Sequence, residues 1–273
     1  MTSRNIRKLR TIGALDAGLI STAHELRMEL AEVIGHKLDP LKNHFNTDFI
    51  KQLLMFYKSP GNTISEAFIM KLLDHSTENF KNLSNVLNVG RRNERKGKKR
   101  IGTLSIIGDT HGQFDDVVLI FESPELGGYP SAKNQFIFNG DMVDRGPKGL
   151  EIMVVLLVCK LLCPESMHIL RGNHECRYAT ELYGFLNEVK EKYSHKLYDS
   201  FMTFFDTLPL AAVVEDAIFL THGGIGPTMR LMRVDDINNL NRFQEIPDEG
   251  PIQNLLWIGI EMLFCVIIFD SCL

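Results

Sequence analysis

Four short stretches concentrate side chains able to hold metal ions: Gly108-Asp109-Thr110-His111-Gly112, Gly140-Asp141-Met142-Val143-Asp144-Arg145-Gly146, Gly172-Asn173-His174-Glu175 and His222-Gly223-Gly224. Asp109 and His111, two positions apart, can both point at one ion from a tight turn. The glycines on either side let the backbone bend and approach without a Cβ in the way. A single Asp-x-His means little, because a turn aspartate beside a surface histidine has the same spelling. Four such clusters, each flanked by glycine, point to one shared site. Asp109, His111, Asp141, Asn173 and His222 mix carboxylate, imidazole and amide oxygen, a set suited to Mn, Fe or Zn better than to Ca or Mg alone. One ion does not need so many donors, so two ions sharing a carboxylate are expected, with Asp141 as the bridge. Two metals roughly 3.5–4 Å apart clamp the attacking and leaving oxygens of an in-line displacement at phosphorus, and ionise the water between them. Arg145 would add a bidentate fork for phosphate oxygens, which a lysine could not imitate. Asp144 and His174 complete the set: a histidine held by a carboxylate is suited to protonate a departing alkoxide.

The elements that must position these clusters follow from the alternation of apolar runs. Strands are expected at 103–107, 135–139, 167–171 and 217–221, each running straight into one cluster. Helices are expected near 113–122, 148–162 and 180–206. That alternation predicts a layered α/β domain, in which strand C-termini meet along one edge. Residues 1 to about 90 read as helices, with Leu26, Leu30 and Ile34, and then Phe49, Leu53, Leu54 and Tyr57, at helical spacing. The basic run at 91–100 reads as a solvated loop joining the two parts, with a phosphate-binding or nuclear-localisation patch as the bolder alternative.

Composition narrows the remaining classes. An apolar fraction of 44% with 23% charged residues is that of an ordinary globular chain, long enough at 273 residues for one large core. A net charge of −4 gives no electrostatic case for nucleic acid or an anionic membrane surface. Five unevenly spaced cysteines fit a reducing compartment better than a disulfide framework. With no secretory signal at the start, a cytoplasmic or nuclear location is expected. The apolar stretch from Leu150 to Leu162 is shorter than the roughly 20 residues needed to span a bilayer, and Lys160 interrupts it.

Taken in order and with their separations, the four clusters resemble the signature set of the phosphoprotein phosphatase family of serine/threonine phosphatases. The likeness covers roughly residues 45–257, and "LRGNHE", "YGFLNEVKEKY" and "LPLAAVV" are similar to its type 5 and EF-hand-bearing branches. It implies a calcineurin-like metallophosphoesterase β-sandwich flanked by helices, acting on phosphoserine and phosphothreonine in proteins, with regulatory subunits as possible partners. It also implies that Asp109, His111 and Asp141 hold the first metal, and Asp141, Asn173 and His222 the second. Asp144 and His174 would form the acid dyad, Arg145 the phosphate clamp, and Glu175 would be structural.

The resemblance breaks near the end. In the family, Leu-Leu-Trp is followed by Ser-Asp-Pro and a long portion supplying further strands, an arginine, a last histidine ligand and a tyrosine. Here Leu255-Leu256-Trp257 is followed by Ile258-Gly259-Ile260, no histidine follows His222, and no tyrosine follows Tyr198. The expectation is a catalytic domain over 45–257, incomplete at its C-terminus, between a helical extension (1–44) and a non-family apolar tail (258–273). The missing strands would leave sheet edges unpaired. A non-catalytic chain that binds phosphoproteins or regulatory subunits is the alternative to a phosphatase.

Overall fold

The computed structural model describes residues 22–35, 47–90, 102–125, 128–229, 231–258 and the backbone of 265–268. The basic run at 91–100 and most of the tail lie outside these residues. Helix α1 is described over 22–33, followed by α2 (Thr47–Lys58) and α3 (Glu66–Lys81). Ser65 caps α3 by accepting from the Phe68 N–H, which satisfies one of the donors a helix start leaves open. Leu26, Leu30 and Ala31 of α1 are buried in the same core as α2 and α3.

Among the described residues seven strands form two sheets. The first holds β2 (Thr103–Ile107), β3 (Asn134–Phe138) and β4 (Met167–Ile169), all parallel, in the order β2-β3-β4. The second is mixed: β1 (Val86–Val89) pairs parallel with β5 (Ala211–Val214), which pairs antiparallel with β6 (Ile218–Thr221), and β6 with β7 (Cys265–Ile268). Side-chain alternation separates three apolar layers. Ile137, Leu170, Leu87, Val89, Ala212 and Leu220 fill the space between the sheets. Phe136, Phe138 and Ile169 face the other way, into the large helical core. Val86, Ala211 and Phe219 meet Ile252, Leu255 and Leu256 on the outer side of the second sheet.

Helices α4 (Phe114–Glu122), α5 (Gly149–Leu162), α6 (Arg177–Tyr183), α7 (Phe185–Lys192) and α8 (His195–Phe205) follow the strands of the first sheet, and α9 (Val234–Asn238) and α10 (Pro251–Trp257) follow β6. Helix α5 is apolar on nearly every face because it is enclosed by the sheet and by α2, α3 and α7.

Three expectations are corrected. Residues 86–89, read as helical, form β1, because Leu87 and Val89 are needed between the sheets. The single helix expected over 180–206 is three, divided at Gly184, whose φ is 123°, and at the Ser194 cap. The general expectation of unpaired sheet edges does not hold at β6, whose edge is taken by β7 in the register Thr221↔Cys265.

Candidate metal centre

The three parallel strands end on one edge, and β6 of the second sheet brings His222 to the same place. Backbone hydrogen bonds hold the loops together: the N–H groups of Thr110 and His111 donate to the Asp141 carbonyl, and Gly146 N–H donates to the His111 carbonyl. His111, Asp141, Asp144 and Arg145 all have positive φ, between 37° and 70°. For non-glycine residues that is an uncommon conformation, kept where surrounding contacts over-determine it, and such positions gather at functional sites.

Asp141 lies at the centre. Its Oδ2 is 3.5 Å from His111 Nε2, and its Oδ1 is 3.4 Å from His222 Nε2. Each imidazole has its other nitrogen committed to a main-chain carbonyl: His111 Nδ1 donates to Val143 at 2.9 Å, and His222 Nδ1 to Asn139 at 2.8 Å. This fixes the tautomer and leaves both Nε2 lone pairs facing the carboxylate, as in metal-ligating histidines. His111 Nε2 is buried and has no hydrogen-bond partner.

Asp109 is shared as well. Its Oδ2 is 3.8 Å from His111 Nε2 and its Oδ1 4.0 Å from His222 Nδ1, so it spans both imidazoles rather than serving one. Asn173 closes the group, with its side-chain oxygen 2.7 Å from His222 Nε2. With His222 neutral, two lone pairs then oppose each other. A cation between them relieves the conflict, and so does a proton on Nε2 or turning the amide to donate to His222 and Asp141. His111, Asp141 and His174 form one group of donor atoms within 4.8 Å of one another, and Asp109, Asp141 and His222 form a second. All five expected ligands therefore converge, and they fit a pair of cations by donor type, by the stranded His111 nitrogen and by charge.

The electrostatics agree. Burial disfavours charge on both Asp141 and His222, yet their mutual hydrogen bond and attraction win: the Asp141 carboxyl is held below the usual range and His222 is raised to about 9. A site that draws a proton onto a nearly buried imidazole is short of positive charge.

Beside this group, His174 Nδ1 is 2.7 Å from Asp144 Oδ2, and Asp144 Oδ1 accepts the Phe185 N–H at 2.9 Å. Burial lowers the His174 basicity, but its hydrogen bond to Asp144 and the nearby carboxylates raise it overall. Its Nε2 faces the centre, 3.9 Å from Asp141 Oδ2 and 3.4 Å from an Arg145 guanidinium nitrogen. Arg145 itself is exposed at the rim.

Glu175, expected to be structural, accepts from the Asp141, Met142 and Gly172 N–H groups, all at 2.8 Å, and so fixes the turn that aims Asp141. Burial and the Asp141 charge push its carboxyl up to about 7. Two further neighbours, Asn139 and Tyr183, went unforeseen. Asn139 receives His222 on its carbonyl and donates its amide to the Thr221 carbonyl, joining the two sheets under the site. The ring of Tyr183 lies 5.0 Å from that of His174. The Asn immediately before Gly140-Asp141 was the one available signal; nothing in spacing marks Tyr183.

A family model for calcineurin-like phosphoesterases matches residues 103–263, more than half of the chain. The chain belongs to that family. Within it, serine/threonine-protein phosphatase 5 of Homo sapiens is 36% identical over 230 residues, covering 83% of this chain and 42% of the relative. The Arabidopsis thaliana protein of the same name is 43% identical over 154 residues, 56% of this chain and 28% of the relative. A solved serine/threonine phosphatase of Saccharomyces cerevisiae, described as similar to human phosphatase PP5, superposes with a TM-score of 0.70 at 29% identity, covering 78% of this chain and 64% of that one. This phosphoesterase chain spans less than half the length of these curated relatives. Among its described residues no helix is long and apolar enough to cross a membrane.

Proposed function

We propose that this chain hydrolyses phosphoserine and phosphothreonine in proteins with the help of two metal ions, manganese first among Mn, Fe and Zn. The observation that carries the proposal is the pair of imidazoles with Nδ1 tied to carbonyls and Nε2 turned on the shared Asp141, next to the His174–Asp144 pair. Asp109, His111, Asp141, Asn173 and His222 would hold the ions within a catalytic region of about 45–257. Bound there, the ions would supply positive charge to phosphoryl oxygens and acidify water. Arg145, exposed at the rim beside His174, neutralises and orients the phosphate. Asp144 holds the His174 ring and its tautomer, and His174 Nε2 delivers the proton to the departing serine or threonine oxygen. The names of the relatives support a phosphoprotein substrate. Regulatory partners and a cytoplasmic or nuclear location complete the proposal.

Mn-supplemented hydrolysis of a phosphopeptide tests the proposal, with His174→Ala as the control. Turnover should fall about 10²- to 10⁴-fold in the variant, the usual contribution of a positioned acid. Wild-type turnover no higher than the variant's would replace this proposal with that of a non-catalytic phosphoprotein-binding chain.

A further inference from the structure

Helix α5 starts beside the metal centre and carries its opposite end away from it: Lys160 is eleven residues beyond Gly149, about 16 Å along the axis. There, between α3, α1 and the loop leading to β4, lies a half-open groove of about 480 Å³. Phe80, Leu157 and Leu161 form apolar walls, and His75 and Lys160 are set among them. Neither polar residue has an ion-pair partner among the described residues. His75 is 7% exposed and its Nδ1 has no hydrogen bond. The Lys160 ammonium donates to the Pro164 carbonyl at 2.6 Å and, among the described residues, has no carboxylate within ion-pair distance. Glu165 also lines the groove but stays exposed and only raises the Lys160 basicity from a distance. Burial lowers Lys160 to about 8, against the opposing pull of Glu165, and also lowers His75.

We propose that this groove is a binding site for a small organic carboxylate with a compact apolar body. The carboxylate meets the Lys160 ammonium, and the body packs on Phe80, Leu157 and Leu161. A volume of a few hundred cubic ångströms with apolar walls and a few convergent polar groups is usual for such ligands. One ammonium matches a monoanion; a phosphate dianion would leave charge uncompensated against the apolar walls. The site is separate from the metal centre and does not depend on phosphatase activity.

Titration calorimetry at near-neutral pH with hydrocinnamate, hydrocinnamyl alcohol and hydrocinnamyl amine tests this on the whole chain. Hydrocinnamate should bind about tenfold tighter than the alcohol, the difference a charge-assisted hydrogen bond makes, and the amine should bind weakest. Methyl resonances of Leu157 and Leu161 should shift on binding. Lys160→Met should bring the acid to the affinity of the alcohol, and Lys160→Arg should keep the preference should the Met variant not fold. Equal affinity of wild type for acid and alcohol, no binding of the acid, or unmoved leucine methyls would each overturn the proposal.

Discussion

Asp144 shows how much of this site is decided by single hydrogen bonds. It is fully enclosed, with one oxygen on His174 Nδ1 and the other on the Phe185 N–H. Asp144→Asn keeps the shape but replaces one acceptor with a donor, so the amide can accept the Phe185 N–H and hold His174 only through an unprotonated Nδ1. His174 should lose the carboxylate that stabilises its protonated form while the five candidate ligands stay in place. The expected outcome is a loss of phosphopeptide turnover of about 10²- to 10⁴-fold with metal content unchanged. Kinetics paired with metal analysis of the purified variant checks it, and a parallel loss of metal would move Asp144 into the metal-holding group. At this scale the sequence was informative wherever chemistry restricts residue type. Asp109, His111, Asp141, Asn173 and His222 stand out because few side chains bind metals, and they do converge. Glu175 was marked as structural only by the family resemblance, and Asn139 did not stand out as a support, because both act through backbone groups, and any segment of chain offers those. The sharing of Asp109 between both imidazoles also depends on a loop conformation that spacing does not encode.

Elements place these residues by close approach of loops. Gly140 and Gly172, at the ends of adjacent strands β3 and β4, meet almost backbone to backbone: a Cβ on Gly140 would run into the Gly172 main chain, and one on Gly172 into the Asp141 and Glu175 carboxylates. Gly172→Ala should therefore push Asp141 off its position. A stability loss of about 1–3 kcal/mol is expected from the overpacking, with metal affinity weakened about 10- to 100-fold. Denaturant midpoints and Mn titration measure the two effects, and wild-type affinity in the variant would show that the loop can yield. The four strands that carry the clusters were readable because their β-branched and aromatic runs lead straight into glycine-containing clusters. Strands β1 and β5 were not. Each is four residues long, and their pairing joins positions such as Val86 and Ala211, far apart in the chain. A short apolar run after a helix reads as more helix until its distant partner is known. The three-way division of 180–206 was hidden for a related reason: Gly184 and Ser194 are weak punctuation inside a long helical pattern.

In the whole molecule the candidate ligands come from both layers. Asp109, His111, Asp141 and Asn173 sit at the ends of the β2-β3-β4 sheet, and His222 at the end of β6 in the other. Without an ion, the direct links between the layers at this edge include the Asn139 bonds to His222 and Thr221. A cation held by ligands from both sheets would bind the assembled sandwich and have little affinity for the unfolded chain, so its binding energy appears as folding stability. At a free metal concentration about 100 times Kd the gain is about 2.7 kcal/mol. For a domain of this size that corresponds to a rise in Tm of roughly 5–10 °C. Calorimetric scans across a Mn series after chelation should therefore show Tm climbing steadily with metal. His222→Ala removes the only candidate ligand from the second sheet while leaving four in the first. Most of the metal-dependent shift should vanish in that variant, even if some metal still binds. A full shift in His222→Ala would mean that the ion is held by one sheet alone and does not join the layers.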